Sequence, residues 1–542
     1  MNSLFKSTEF DEKSKIWKGG CIPRMFDPKI SVGKAALFIL NQNPDFVAQI
    51  NDNSGIQKTN REIHDCVVNI AVNLRKLGCS KGDVVGFISR NNEFIGPAVL
   101  AAFLLAAPVN SLDTMFSKDE IIHMYSITQP KFIFCESDKV PVLTEALKVL
   151  QCNAKIIVFG ERIDDLLHIT DILKNSEPLE DFVFPDVDEH TCAVIICSSG
   201  TTGLPKGVSL THNHILYMGS YGFTDELEKP CSMICYSSLY WYSGLVTLAI
   251  SSLTSVTRII TTDPFSPELF YNMIMRYRPR ILFTGPIQLS AILNHPLLNE
   301  QTMDCVQYYT CVGSIVPQSL WEKAKHYLPN GEIYNGYGMS EVGFVSREPQ
   351  KTPRYSVGKL IAGIHVKIID ESGKRLGIGE RGELCFKTDI MFLCYYNNPE
   401  QTAKALDEDG WIHSGDLGYF DEDGLLHIIG RNKDILKYNN YVVSPAEVEN
   451  MILTIPGVLQ AVVVGVSHPV SIDLPAAAVV RKNDATVTEQ EILTVIENKL
   501  SDAKRLRGGV YFVDSVPLTP SGKVKKNLVK EIVEKLYREK NH

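Results

Sequence analysis

Several features are scarce in this sequence, and each scarcity excludes a class of protein. No apolar run approaches the roughly 20 residues that a bilayer-spanning helix needs. The longest, residues 98–109, reads as a buried helix. Positive charge is not in excess: 54 Lys and Arg stand against 63 Asp and Glu, a net charge of −9. That balance argues against a nucleic-acid partner, whose phosphates are bound by surplus Lys and Arg. The 13 cysteines are scattered and odd in number, with no Cys-x-x-Cys pair. This pattern fits reduced intracellular thiols better than a disulfide framework or a zinc site. Cys192/Cys197 and Cys231/Cys235 lack His partners at metal-ligand spacing and read as buried core thiols. The first ten residues lack an apolar signal core, and the final Lys540-Asn541-His542 is not a peroxisomal Ser-Lys-Leu type ending. The expectation is an intracellular protein, cytoplasmic or peroxisomal, with no transmembrane segment.

At 542 residues the chain exceeds one ordinary core, so two or more domains are expected. Short apolar runs alternate with helical stretches through the first four hundred residues or so, as in Val84-Val85-Gly86-Phe87-Ile88, Phe132-Ile133-Phe134, Lys155-Ile156-Ile157-Val158 and Cys192-Ala193-Val194-Ile195-Ile196. Continuous rather than alternating apolar strands indicate sheets covered on both faces, hence an α/β architecture. A boundary falls near Gly430-Arg431-Asn432-Lys433-Asp434. It divides residues 1–430 from a hinge at 431–434 and a small α+β domain at 435–542. In that domain Ser444-Pro445-Ala446-Glu447 reads as a capping box with Pro in the first turn, and Thr488-Glu489-Gln490-Glu491 as a second capped helix start. Strands are expected over 460–466 and 474–481.

The densest chemistry is Ser198-Ser199-Gly200-Thr201-Thr202-Gly203-Leu204-Pro205-Lys206-Gly207, directly after an apolar strand. Its glycines let backbone N–H groups crowd an anion, its hydroxyls donate further hydrogen bonds, and Lys206 supplies charge. A triphosphate is the expected guest; a polar turn after a strand is the bland alternative. Gly207 after the lysine separates this string from the Gly-x4-Gly-Lys-Ser/Thr loop of other NTPases.

This loop resembles the signature of the acyl-adenylate-forming superfamily, which includes acyl-CoA synthetases, plant coumarate-CoA ligases and insect luciferases. The similarity spans nearly the whole chain, and over residues 334–524 it is particularly close to beetle luciferase. The resemblance implies a large N-terminal α/β domain of several subdomains that binds AMP, followed by a small mobile C-terminal domain carrying the catalytic lysine. It also implies ATP and CoA as co-substrates and Mg²⁺ as cofactor.

The implied sites follow residue by residue. Asn335-Gly336-Tyr337-Gly338-Met339-Ser340-Glu341 resembles the adenine-and-magnesium segment. There Gly336 and Tyr337 would meet the purine, Ser340 the α-phosphate, and Glu341 would ligate the metal as a hard oxygen donor. Ser340 stands where the family usually has Thr. Gly313-Ser314-Ile315-Val316-Pro317 is a loose version of the adenine-wall turn. Trp411-Ile412-His413-Ser414-Gly415-Asp416 resembles the ribose site, with Asp416 accepting from both ribose hydroxyls and Arg431 as a second contact. The acidic cluster Asp421-Glu422-Asp423-Gly424 reads as a β-turn. Lys523, in Pro520-Ser521-Gly522-Lys523, matches the adenylation lysine, which steadies charge on the α-phosphate and carboxylate as pyrophosphate leaves. Lys433 falls at the hinge position, and Lys437 at the lysine that faces the active site in the second step. Asn440 replaces a usual Gly beside it and leaves close approach of the CoA pantetheine less assured.

Ser238-Leu239-Tyr240-Trp241-Tyr242-Ser243-Gly244 occupies the family's aromatic gate, with Trp241 in place of the usual His. Met218 stands where beetle luciferases carry an arginine, and Phe344 replaces a small polar residue. Met218, Tyr240, Trp241 and Phe344 together describe an apolar acyl pocket. The reading is therefore a fatty acid–CoA ligase for medium or long chains. Its alternatives are an aryl (coumarate-like) CoA ligase, a luciferase-type monooxygenase, a peptide-synthetase adenylation module and a binding-only pseudoenzyme. The small number of residues after Lys523 argues against a carrier domain in the chain.

Overall fold

The computed structural model describes residues 8–21, 26–174, 183–198, 205–221, 231–313, 316, 318–347, 356–388, 390, 392–439, 441–469, 471–519 and 523–541. The described strands form four sheets of eight, nine, six and five strands. The eight-stranded sheet is built on parallel neighbours: Val109–Leu112, Val85–Ile88, Phe132–Glu136 and Lys155–Phe159. The nine-stranded sheet has a longer parallel run, from Val47–Asn51 through Val256–Ile260, Cys231–Cys235, Ile281–Thr284 and Tyr308–Cys311 to Glu332–Met339. Strands such as Val85–Ile88 and Ile281–Thr284 are buried at every position, because helices cover both faces. Cys197, Cys231 and Cys235 are buried free thiols and Cys192 is half-buried.

The apolar run at 98–109 does not stay helical to its end. The helix is Ile95–Leu104, with every residue buried, and Val109 already belongs to a strand. Ala106 takes φ +51, and the Ala107 amide reaches back to the Ala102 carbonyl. Pro108 then bars its predecessor from helical geometry, so the break is local chemistry rather than a loss of apolarity. Among the described residues no helix is long and apolar enough to cross a membrane.

The six-stranded sheet is antiparallel from end to end, in the order Glu9–Asp11, Ile16–Lys18, His365–Ile369, Gly382–Lys387, Ile412–Phe420, Leu426–Arg431. Its last hairpin turns through 421–424: the Asp421 carboxylate accepts from the Asp423 and Leu425 amides, and Gly424 sits at φ +71.

The C-terminal sheet pairs Val458–His468 with Ile472–Arg481, flanked by Leu436–Tyr438, Tyr441–Val443 and Val510–Phe512. Alternation along its long strands supplies two apolar faces. Val463 and Val479 pack with Val448, Ile452, Ile492 and Ile496, while Val462, Val464 and Ala478 pack with Val529 and Val533. The helices Pro445–Leu453, Glu489–Lys499 and Lys526–Asn541 thus sandwich the sheet. Thr488 forms the full capping box with Glu491. Ser444 does not. Its hydroxyl donates to the Ile429 carbonyl at 2.7 Å, and Glu447 is taken by Lys504, so tertiary partners outcompete the local cap.

Candidate active site

The two ends of the string at 198–207 lie on paired strands. Strands Cys192–Ser198 and Lys206–Thr211 are antiparallel neighbours, with Ser198 directly opposite Lys206. Residues 199–204, and with them the expected contacts of Ser199, Gly200, Thr201, Thr202 and Gly203, lie outside the described residues. Lys206 itself is fixed by two groups that no local motif announces. Its ammonium donates to Gln401 Oε1 at 2.7 Å and lies 4.7 Å from the centre of the Tyr395 ring. The Tyr395 hydroxyl in turn donates to Glu341 Oε1 at 2.8 Å. The lysine of one motif and the carboxylate of another are therefore joined through a single phenol.

Glu341 is buried at 8% exposure, just after the strand Glu332–Met339 that carries Gly336 and Tyr337; Ser340 is half-buried beside it. Tyr337 does not leave its hydroxyl free: it donates a short hydrogen bond to Asp416 Oδ2. The other Asp416 oxygen faces Arg431 Nε at 3.0 Å. Asp416 and Arg431 are direct partners across the last two strands of the six-stranded sheet, so register alone sets this pair. Burial raises the Asp416 carboxyl pKa, and Arg431 opposes that rise. A ribose meeting Asp416 must share it with Tyr337 and Arg431.

Lys523 comes from the C-terminal domain into the same place. Leu518 and Val524 bridge, and the Lys523 amide donates to Thr519 Oγ1 at 3.0 Å. Residues 520–522 lie outside the described residues. Burial pushes the Lys523 ammonium pKa down, Arg431 pushes the same way, and Asp416 and Glu341 oppose them. The lysine is thus held in a desolvated setting with both carboxylates in electrostatic reach.

Lys437 is not brought to this cluster. It is exposed, 3.9 Å from Glu371, and its amide donates to Asp473. Lys433 sits in the short 3-10 turn Asn432–Asp434, its pKa lowered chiefly by burial. Asn440, Ser314, Ile315 and Pro317 lie outside the described residues.

The four expected acyl-pocket residues fall into two groups. Met218 is buried at 3% exposure and shares an apolar cluster with Phe344 and Tyr242. Tyr240 and Trp241 pack instead with Phe116 and Cys197, Tyr240 edge-on to both Phe116 and Trp241. Sequence reasoning missed His214, which joins the first group. Its Nδ1–H donates to the Ile390 carbonyl at 2.5 Å, and its Nε2 accepts from the Tyr242 hydroxyl at 2.8 Å. Burial pushes its pKa down to about 4, so the ring is neutral at pH 7. Gly343, at φ +83, brings backbone against this group. A Cβ there would lie 2.5 Å from Met218 Cε and from Tyr242 Oη. Nothing local flagged Tyr395, Gln401 or His214, whose partners lie up to 195 residues away in sequence.

Comparisons with known proteins place the chain in a family. The AMP-binding enzyme family matches residues 39–396, and the AMP-binding enzyme C-terminal domain matches 447–523. The luciferin 4-monooxygenase of Luciola mingrelica is 28% identical over 505 residues, covering 90% of this chain and 92% of its own. The 4-coumarate–CoA ligase 1 of Petroselinum crispum is 31% identical over 478 residues, covering 84% of this chain and 85% of its own. The luciferase-like enzyme from the nonluminescent mealworm Zophobas morio superposes with a TM-score of 0.72 at 28% identity, over 77% of this chain and 98% of that one. With these two family regions in order along most of its length, the chain belongs to the AMP-binding enzymes, the acyl-adenylate-forming superfamily.

Proposed function

We propose that the protein activates a medium- or long-chain fatty acid as its acyl-AMP and transfers the acyl group to CoA. The observation that carries the reading is Lys523 reaching from the small domain to the Asp416–Arg431 pair and Glu341. A carboxylate is a poor electrophile, so activation comes first. One carboxylate oxygen attacks the α-phosphorus of ATP, and the bond to pyrophosphate breaks. Lys206 and Lys523 balance the negative charge that gathers on the phosphates and on the attacking carboxylate. Asp416 and Arg431 hold the ribose. In the second step the CoA thiol, having lost its proton, attacks the acyl carbon and AMP departs, with Lys437 the residue proposed to face that step and Lys433 the pivot.

Glu341 fits Mg²⁺. It is a buried carboxylate whose Oε1 is held by Tyr395, and its Oε2 has no hydrogen bond among the described residues. Mg²⁺ bound there supplies charge compensation for the departing pyrophosphate.

An alkyl acid is favoured because Met218, Phe344 and Tyr242 share one apolar cluster and the His214 bonded to Tyr242 is neutral, so these residues offer an acyl tail no charge. The relation to a 4-coumarate–CoA ligase makes an aryl acid the competing substrate, and the relation to luciferin 4-monooxygenases the reason to test for light. A panel of alkyl acids of graded length and of aryl acids, each with ATP and CoA, is scored by AMP release and thioester formation. Alkyl acids are expected to give the highest kcat/KM. Preference for aryl acids by about tenfold, 1.4 kcal/mol, would overturn the substrate assignment, and strong emission with luciferin and ATP would overturn the ligase reading.

A further inference from the structure

A second cluster of chemically capable side chains lies on the six-stranded sheet, apart from Glu341. Cys385 and His413 are direct partners on adjacent strands, and Glu383 shares the face of Cys385 two residues earlier. One ligand atom from each of the three lies within 4.8 Å of the others. His413 Nδ1 is 3.7 Å from Cys385 Sγ and 3.2 Å from Glu383 Oε2. A tetrahedral ion with ordinary zinc bond lengths to thiolate, imidazole and carboxylate sets its ligand atoms about 3.4–3.6 Å apart. The two histidine separations bracket that spacing, and the sulfur and carboxylate oxygen lie within 4.8 Å of each other.

The surroundings hold each ligand as a metal site requires. The second Glu383 oxygen accepts from the Gly415 amide at 3.1 Å. The far His413 nitrogen, Nε2, faces Asp407 Oδ2 at 3.8 Å. That carboxylate is anchored by Lys367 at 2.6 Å and by the Trp411 amide at 2.8 Å. A carboxylate behind a histidine favours the tautomer whose Nδ1 lone pair is open to a metal. The His413 side chain is 33% exposed and that of Glu383 23%, which leaves an approach from solvent.

We propose that Glu383, Cys385 and His413 form a binding site for a divalent ion of the zinc class, with water in the fourth position. Thiolate and imidazole together select such an ion over Mg²⁺ or Ca²⁺. As the sulfur–metal bond forms, the Cys385 thiol releases its proton to solvent, while Glu383 and His413 contribute lone pairs without loss of a proton. Because Glu383 also holds the Gly415 amide, an ion here pins the segment that presents Asp416. The competing account is a Glu383–His413 hydrogen bond beside an inert buried thiol.

Cobalt distinguishes the two. The full-length protein, stripped with chelator, is titrated with Co²⁺ and then with Zn²⁺. The expected result is a thiolate-to-cobalt charge-transfer band with the intense visible bands of a tetrahedral ion, displaced by Zn²⁺ and absent from both Cys385→Ser and His413→Asn. Zn²⁺ should also raise the Tm of the wild-type protein alone. Circular dichroism checks the fold of each variant. His413→Asn, at a partly exposed position, keeps the test decisive if Cys385→Ser unfolds. No band in the wild-type protein overturns the proposal, and so does a band that persists in a folded variant.

Discussion

Lys523 draws its leverage from where its charge sits. It is a desolvated cation with Asp416 and Glu341 in reach, and in the proposed reaction it meets the negative charge that gathers on the transferring phosphate. Lys523→Ala is expected to slow acid-dependent exchange of labelled pyrophosphate into ATP by about 10²–10³-fold, the cost of removing one preorganised charge donor. The same variant should still convert a supplied acyl-AMP and CoA to thioester; equal loss of both reactions would sink the assignment. Asp416 offers a gentler test. Asp416→Asn keeps the shape but loses the charge shared with Arg431, and it should raise the KM for ATP by about tenfold, at the low end of charged hydrogen-bond energies. His212 and His214 give the molecule an acid sensitivity. Burial pushes their pKa values down from 6.5 to about 3 and about 4, so the unfolded chain binds protons that the folded chain refuses. Their contribution to stability is complete above pH 6.5 and is lost as pH falls toward 4, by roughly 3 kcal/mol for His214 alone. Urea unfolding at a series of pH values should show that slope, reduced in His214→Gln.

At the scale of elements, the hairpin and the helix starts show which local signals survive folding. Ser198 faces Lys206 because two antiparallel strands pair in register, which sets the serine and the lysine of one motif side by side. Thr488 and Ser444 looked alike in sequence, and only the first caps its helix. Thr488→Ala should therefore destabilise the C-terminal domain by about 1 kcal/mol, read as a shift in its unfolding midpoint at constant m-value. The Ser444 hydroxyl instead ties the small domain to Ile429 of the large one, a use no local pattern encodes. The apolar stretch at 98–109 makes the same point. Composition marked it as buried, but Pro108 decided where helix became strand.

For the whole molecule, the two lysines of the C-terminal domain proposed to act in the two steps sit in different settings. Lys523 is at the site, while Lys437 lies on the surface beside Glu371. If the small domain turns about Lys433 between steps, Lys437→Ala should lower thioester formation by at least roughly tenfold, 1.4 kcal/mol, and leave pyrophosphate exchange unchanged. Single-turnover assays of each half-reaction measure this directly; equal loss in both would remove the proposed division of labour.

What the sequence by itself determined is what short range can encode. Continuous apolar strands announced covered sheets, and motifs in family order announced the adenylate-forming family. Each strand or motif lies within about ten neighbouring residues, and only their order along the chain is long-range. Tertiary structure alone decided the rest: that Tyr395 joins Lys206 to Glu341, that Asp416 is shared by Tyr337 and Arg431, and that a neutral His214 sits beside Met218 and Phe344 while Tyr240 and Trp241 pack elsewhere. The reason is physical. A buried polar group must find a partner wherever the packed chain supplies one, and here that partner usually comes from a different sheet, helix or domain.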